Sequence, residues 1–241
     1  WKPHRHFAED IYNDLRKAAR LRLVDFGTMT VAGACQTSQA MAIAYGLFDL
    51  AEEKLAFDVL VRMIEEKGGF MDVGTLGANA IFDVLADHGR ADLAYKMIAR
   101  TEFPSYGWLI NQGATALWED FRTGDTTNGS KNHHFWGHVS AWFKKYLAGI
   151  RVNAYGVSVN EINIQPIFID SLEYVSGTYD SVVGKIAVDW KRDGDDISFT
   201  LDYPKDATGF IILPQGWQFE DGKCRRDAAS GTYRLLPLWK H

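Results

Sequence analysis

The chain has 241 residues, of which 46% are apolar and 24% are charged, and its formal net charge is −5. This composition is typical of a globular protein with room for one large domain or two modest ones. The charge is spread along the chain without a basic stripe, which argues against nucleic acid as a partner. No apolar run approaches the roughly 18 residues that a membrane span needs, so we expect no membrane insertion.

The chain start and the cysteines leave the compartment open. Residues 1–6 do not resemble a signal peptide and include no initiator Met, so we expect a processed or cloned part of a longer polypeptide. Either a cytoplasmic or a periplasmic or secreted location fits. Cys35 and Cys224 lie far apart and suit no metal spacing. Two buried free thiols are predicted, and a disulfide between them remains open.

Helical periodicity fills the first 150 residues. Apolar residues recur every three or four positions from Phe7 to Leu23, with charges between them. Glycines at Gly68-Gly69 and Gly89 predict helix ends. After the first helix, the pattern predicts further helices at 33–47, 50–66, 75–87, 91–100, 113–120 and 134–148.

The pattern changes near Gly149, where short β-rich runs separated by turn residues begin. Arg192-Asp193-Gly194-Asp195 has the chemistry of a hairpin turn. The runs that predict strands are 162–166, 184–190, 197–201 and 209–214. Several short strands at close spacing indicate an antiparallel β-sandwich. The sequence therefore predicts a multi-domain protein, α then β, with a helical domain at 1–150 and a β-sandwich at 151–241.

The residues most able to carry chemistry fall within 101–138, and Glu119 is the leading candidate among them. It follows Trp118 near the end of the predicted helix 113–120, where partial desolvation would make a carboxylate a better base. A solvated glutamate at a helix end fits the same pattern. Asp120 cannot be its facing partner, because adjacent helix positions point about 100° apart. Hydrolysis of a glycoside needs two carboxyl groups, so a second would have to come from elsewhere.

Two histidines have the spacing of a zinc-binding helix face. His134 and His138 stand four residues apart, but Phe135 occupies the position where the HExxH pattern requires a glutamate. No clustered Cys, His or carboxylate supplies a clear third ligand. We therefore predict no metal and no cofactor, and hydrogen bonding to a polar ligand or helix capping for these histidines.

The segment Gln112 to Glu119 resembles the Gly-Ala-Thr-Thr-x-Trp-Glu segment of bacterial α-L-rhamnosidases, an inverting glycoside hydrolase family built on an (α/α)6 barrel. The resemblance covers roughly residues 30–215. It also rests on further segments in the family's order: Gln36-Thr37, Gly74-Thr75-Leu76-Gly77, His88-Gly89-Arg90-Ala91-Asp92, Pro104-Ser105-Tyr106-Gly107, Asn132-His133, Ile164-Gln165-Pro166 and Gly177-Thr178-Tyr179-Asp180-Ser181.

The resemblance implies a role for each site residue. Glu119 corresponds to the general base that activates water in an inverting hydrolysis of terminal α-L-rhamnosyl residues. Trp118, Trp108 and Tyr106 would shape the sugar pocket, and His133 would hydrogen-bond a hydroxyl of rhamnose. The family's general acid lies on an upstream segment that is absent here. The helical domain would accordingly be the second half of the toroid, followed by the family's C-terminal β-sandwich.

A half-barrel implies particular partners. The upstream half of the same polypeptide and a rhamnose-containing oligosaccharide or glycoside are expected to bind, and uncovered apolar faces favour self-association. We expect the 241-residue chain alone to be inactive. Two alternatives stay open: a related glycosidase for another deoxy sugar or a uronic acid, and a non-catalytic carbohydrate-binding module.

Overall fold

The computed structural model describes residues 3–122, 129–152 and 158–238, with side chains from residue 9 onward. Contacts between residues divide the chain into two compact units, Trp1–Val139 and Ser140–His241. The first is helical and the second is built from β-sheet, as the predicted α-then-β fold class requires. The domain boundary at residue 150 stays a prediction, because the units divide inside the last helical stretch.

Six α-helices occur in the described residues 3–111 of the helical unit: α1 (Pro3–Leu23), α2 (Gln36–Ala44), α3 (Leu50–Glu66), α4 (Thr75–Asp87), α5 (Ala91–Ala99) and α6 (Tyr106–Asn111). A two-stranded hairpin, β1 (Val24–Asp25) and β2 (Thr30–Val31), follows α1. Helix α2 packs against both α3 and α4, and residues such as Leu60, Ile81 and Phe82 are buried in the core. None of the described helices combines the length and apolarity needed to cross a membrane.

Helix α1 is fixed to the start of α3 by arginines. Arg16 donates from Nε to the carbonyl of Gly46 at 2.6 Å, and Arg20 donates to the carboxylate of Glu52 at 2.8 Å. Glu52 also accepts the backbone N–H of Asp49 at 2.8 Å, which satisfies a donor in the first turn of α3. The pKa of Glu52 is lowered, first by its hydrogen bond with Arg20 and then by this backbone bond.

Two of the predicted helices differ from the structure. The prediction of a helix at 113–120 is wrong: the helix is α6, which ends before Gly113, a residue with a φ of 78°. Ser105 caps α6 by accepting the N–H of Trp108 at 3.0 Å. The predicted continuous helix at 134–148 is a 3-10 turn (His134–Trp136), a short helix α7 (His138–Trp142) and a π-helical turn (Phe143–Leu147).

The described part of the β unit holds two sheets, of four and five strands. The strands are β3 (Ile150–Val152), β4 (Ile162–Ile164), β5 (Tyr174–Ser181), β6 (Gly184–Asp193), β7 (Asp196–Asp202), β8 (Phe210–Ile212), β9 (Trp217–Phe219), β10 (Arg225–Asp227) and β11 (Gly231–Pro237). The order of neighbouring strands is β10-β8-β4-β3 in the first sheet and β5-β6-β7-β11-β9 in the second. Pairing is antiparallel except between β4 and β8, where Ile164 pairs with Ile211 in parallel.

Both sheets contribute to one apolar core. Alternation along β6 turns Ile186, Val188 and Trp190 inward, and all three are buried with Phe199 of β7. The indole N–H of Trp190 donates to the carbonyl of Leu147 at 2.9 Å. The predicted hairpin turn near 192–195 is confirmed by the pairing of β6 with β7.

The two cysteine thiols are both free. Cys35 directly precedes α2, and Cys224 directly precedes β10. Both side chains are exposed, so the prediction that they are buried is wrong.

Candidate active site

Glu119 lies on an irregular segment that pairs with residues 130–133. Its backbone N–H donates to the carbonyl of Ser130 at 2.8 Å, and the N–H of His133 donates to the carbonyl of Leu117 at 2.7 Å. The backbone N–H of Ser130 in turn donates to Oε2 of Glu119 at 2.8 Å. The carboxylate is therefore oriented by main chain, although its side chain is exposed. The partial desolvation expected from a helix end is not provided by the described residues of this chain.

An aromatic cluster supports this paired segment. The indole N–H of Trp136 donates to the carbonyl of Glu119 at 2.8 Å. The ring of Trp136 is buried and packs edge-on against Phe121, with ring centroids 4.6 Å apart. Tyr106 packs against both rings at 5.6 and 6.2 Å. The segment that carries the exposed carboxylate is therefore hydrogen-bonded to a buried aromatic cluster formed by Tyr106, Phe121 and Trp136.

Tyr106 is part of this buried aromatic cluster and is not accessible on the surface. Its side chain is buried, and its hydroxyl donates to the carbonyl of Trp136 at 3.1 Å. Burial raises the pKa of the Tyr106 phenol well above its ordinary range. These contacts favour a supporting role for Tyr106 over the sugar contact that the resemblance implies.

The other predicted sugar contacts are half-buried. Trp118 lies under the ammonium of Lys131, which is 5.0 Å from the ring centroid, and Trp108 packs edge-on against Phe103 at 5.3 Å. The ring of His133 packs edge-on against Phe135 at 4.4 Å. Its Nδ1 is enclosed and has no hydrogen-bond partner among the described residues.

Asp120 is ion-paired with Arg122. Its carboxylate accepts from the backbone N–H of Arg122 at 2.7 Å and from the guanidinium at 2.8 Å. The hydrogen bond to the Arg122 side chain lowers the pKa of Asp120. Two other carboxylates of the helical unit are also ion-paired: Asp72 with Lys67 at 2.9 Å, and Glu102 with Arg100 at 3.6 Å.

His134 and His138 do not act as a pair. Nε2 of His138 lies 3.0 Å from Oδ1 of Asp83 on α4, whereas His134 stacks on His133 with centroids 5.9 Å apart. The described residues contain no group of three or more His, Cys, Asp or Glu side chains placed to hold a metal ion.

The structure adds Ser130 and Trp136 to the site, and sequence reasoning missed both. Ser130 acts through its backbone N–H, which no sequence pattern reveals. Trp136 lies three residues after the candidate His133 and carries an indole N–H that can donate a hydrogen bond. This proximity was the only sequence signal that could have pointed to it.

A helical unit that presents an oriented carboxylate, followed by a β-sandwich, matches a class of glycoside hydrolase. Residues 3–147 match the family model of the bacterial α-L-rhamnosidase six-hairpin glycosidase domain. Residues 155–223 match that of the bacterial α-L-rhamnosidase C-terminal domain. The class is therefore that of the hairpin glycosidases. Within it, this chain belongs to the bacterial α-L-rhamnosidase family.

Individual relatives agree with the family models. The chain is 28% identical over 213 residues to an α-L-rhamnosidase of Formosa agariphila, which covers 86% of this chain and 23% of the relative. It is 27% identical over 245 residues to an α-L-rhamnosidase of Streptomyces avermitilis, covering 94% of this chain and 24% of the relative. The chain therefore spans about a quarter of the length of these curated relatives.

Solved structures show the same fold. The Streptomyces avermitilis α-L-rhamnosidase complexed with L-rhamnose superposes with a TM-score of 0.82 at 27% identity, over 94% of this chain and 24% of that one. The α-L-rhamnosidase from Dictyoglumus thermophilum gives a TM-score of 0.84 at 23% identity, over 95% of this chain and 28% of that one. The second likeness is evidence for the fold alone.

Proposed function

We propose that this chain is the C-terminal part of an inverting α-L-rhamnosidase and contributes the second half of its catalytic barrel. The match of residues 3–147 to the glycosidase model carries this proposal. In the proposed reaction, the whole polypeptide hydrolyses terminal α-L-rhamnosyl residues of an oligosaccharide or glycoside, and Glu119 is the general base.

The geometry of Glu119 suits that role. Ser130 holds Oε2 from one side, which leaves Oε1 as the oxygen proposed to take a proton from water. The resulting hydroxide attacks the anomeric carbon while an acid on the opposite face protonates the leaving oxygen. Inverting enzymes separate the two carboxyl groups by roughly 6.5–9.5 Å so that the water fits. We place this acid on the upstream half of the barrel, and propose sugar contacts for Trp118, Trp108 and His133.

The test compares the longer polypeptide with the 241-residue chain on an aryl α-L-rhamnoside. We expect turnover only with the longer polypeptide, and NMR of the first-formed rhamnose should show the inverted anomer. General acid catalysis contributes about 10²- to 10⁴-fold, so the chain alone should be inactive at a useful rate. Robust turnover by the chain alone would place the acid within it, with Asp72 or Glu102 examined first.

The same assay separates the alternatives. Aryl glycosides of other deoxy sugars and of uronic acids test the hypothesis of a related glycosidase. A higher kcat/KM on one of these substrates than on the rhamnoside would support that hypothesis. A longer polypeptide that binds rhamnosides in calorimetry but hydrolyses none of these substrates would support the carbohydrate-binding reading and overturn the proposed activity.

A further inference from the structure

We propose that Trp136 is a positioning residue that fixes the main chain of Glu119, and with it the catalytic carboxylate. This inference rests on the proposed function of Glu119 as general base. It concerns how the base is held, which neither the family match nor the resemblance addresses.

The contact between the two residues is specific. The indole N–H of Trp136 donates to the carbonyl oxygen of Glu119 at 2.8 Å, a full-strength hydrogen bond. Only 4% of the surface of Trp136 is exposed. Phe121 and Tyr106 pack edge-on against the indole ring, so the ring has one orientation from which it can donate.

Glu119 depends on this contact because it lies outside any helix or strand. Among the described residues, the main chain of Ser130 makes two hydrogen bonds with Glu119, one with its backbone N–H and one with its carboxylate. The third hydrogen bond of Glu119 is from the indole of Trp136 to its carbonyl. Ser130 is itself on an exposed segment. Trp136 is therefore the described partner of Glu119 that belongs to the packed core.

Trp136 is anchored on both sides to regular helices. Its carbonyl accepts the hydroxyl of Tyr106, the first residue of α6. Two residues further on, His138 contacts Asp83 of α4 through Nε2 at 3.0 Å. Hydrogen bonds through Trp136 and its neighbour His138 therefore connect the main chain of Glu119 to helices α6 and α4. A general base needs such support, because a misplacement of about 1 Å can cost on the order of 10²-fold in rate.

The first experiment measures local exchange in the 241-residue chain. Trp136→Phe keeps an aromatic ring and removes the N–H donor. We expect the backbone amides of Glu119 and Ser130 to exchange with deuterium roughly tenfold faster, because one hydrogen bond that fixes the segment is lost. The matched control is Trp190→Phe, which removes an indole-to-carbonyl bond of 2.9 Å at an equally buried site in the β unit. It should leave exchange at Glu119 unchanged.

The second experiment measures kinetics in the longer polypeptide. Trp136→Phe should lower kcat by about 10- to 100-fold and change KM by less than about twofold, because the base is displaced while the sugar contacts remain. Trp190→Phe should leave both constants at the wild-type values. Unchanged kcat or unchanged exchange at Glu119 in Trp136→Phe would overturn the proposal, as would faster exchange spread evenly over the helical unit.

Tyr106→Phe provides a second route if Trp136→Phe does not fold. It removes only the hydroxyl that holds the carbonyl of Trp136, so the same changes in the same direction are expected at a smaller size. Wild-type exchange and kcat in this variant would then overturn the proposal. The outcome is separable from the proposed function: if Glu119→Gln keeps its kcat, the role of Glu119 fails, whereas the exchange experiment still decides whether Trp136 fixes its main chain.

Discussion

The helical unit and the β unit differ in how completely they cover their own apolar side chains. Of the eighteen large apolar side chains that are exposed among the described residues, thirteen lie in the helical unit and five in the β unit. In the β unit, residues such as Trp190 of the five-stranded sheet and Ile164 of the four-stranded sheet form one continuous core. In the helical unit, α1 leaves Leu15 at 65% exposure, and the candidate base Glu119 is exposed as well.

This difference suggests that the β unit mainly contributes stability, whereas the helical unit carries the candidate active site. The β unit has the closed core of a self-sufficient domain, so its residues mainly determine stability. The helical unit presents apolar side chains and a carboxylate that the described residues leave uncovered, as expected for part of a larger barrel. Substitutions in the two units should therefore have different consequences.

The largest effect is expected at Glu119 in the longer polypeptide. Glu119→Gln keeps the size of the side chain but cannot accept the proton, so kcat should fall by about 10²- to 10⁴-fold. Substrate affinity should change far less. Asp120→Asn is the control, because Asp120 is held by Arg122. Steady-state kinetics measure kcat and KM of both variants, and thermal melting checks that each variant is folded. The assignment of the base is wrong if Asp120→Asn loses kcat and Glu119→Gln does not.

Core truncation in the β unit should be the next largest effect, and it should act on stability. Phe199 is fully buried between the sheets, so Phe199→Ala should cost about 3–5 kcal/mol. Exchange of the β6 and β7 amides under increasing denaturant measures the loss. Tyr174→Ala, at an exposed position of β5, should stay within about 0.5 kcal/mol of wild type. Equal losses in the two variants would contradict a closed β core.

The exposed apolar face of α1 should drive association of the 241-residue chain. Ile11 and Leu15 lie four positions apart and are both exposed, so they share one side of the helix. We expect light scattering to show concentration-dependent association, which Leu15→Lys weakens by about tenfold. Val182, an exposed apolar residue of the β unit, provides the control substitution Val182→Lys, which should change little. A wild-type chain that stays monomeric at all concentrations would argue against the half-barrel.

The smallest effect is the pH-dependent contribution of Glu52 to the helical unit. Because Arg20 lowers the folded-state pKa of Glu52, its contribution is complete above the unfolded-state pKa and is lost as the pH falls through the folded-state pKa. Glu52→Gln should therefore cost about 1 kcal/mol at neutral pH and progressively less on acidification. Denaturant unfolding at several pH values measures this. Asp58→Asn breaks an exposed pair with Lys54 on the same helix and should cost almost nothing.

Regular helices were the most predictable part of the fold. The predicted bounds of α3 and α4 are those of the structure, because an amphipathic pattern and a terminal glycine mark each one locally. The missed helix α6 had a local signal too, in the capping residue Ser105. The π-helical turn at 143–147 had none, because its hydrogen-bond pattern depends on packing around Trp142 and Tyr146 and not on sequence period.

The β unit and the site were predictable only in part. The hairpin of β6 and β7 follows from turn chemistry, but the parallel pairing of β4 with β8 joins residues far apart in sequence. At the site, the position of Glu119 beside Trp118 made it a candidate, and its role as general base came from the family resemblance. Its hydrogen bonds with Ser130 and Trp136 form across a chain reversal, which local patterns do not encode.

The contacts of Glu119 also affect how the residue at this position can vary. One hydrogen bond with Ser130 joins main chain to main chain, and Trp136 likewise holds the carbonyl of Glu119. These two contacts do not depend on which side chain stands at position 119, whereas the bond from Ser130 to Oε2 does. A substitution at position 119 would therefore leave the backbone of the segment held, so evolution could remove the carboxylate while the fold persists.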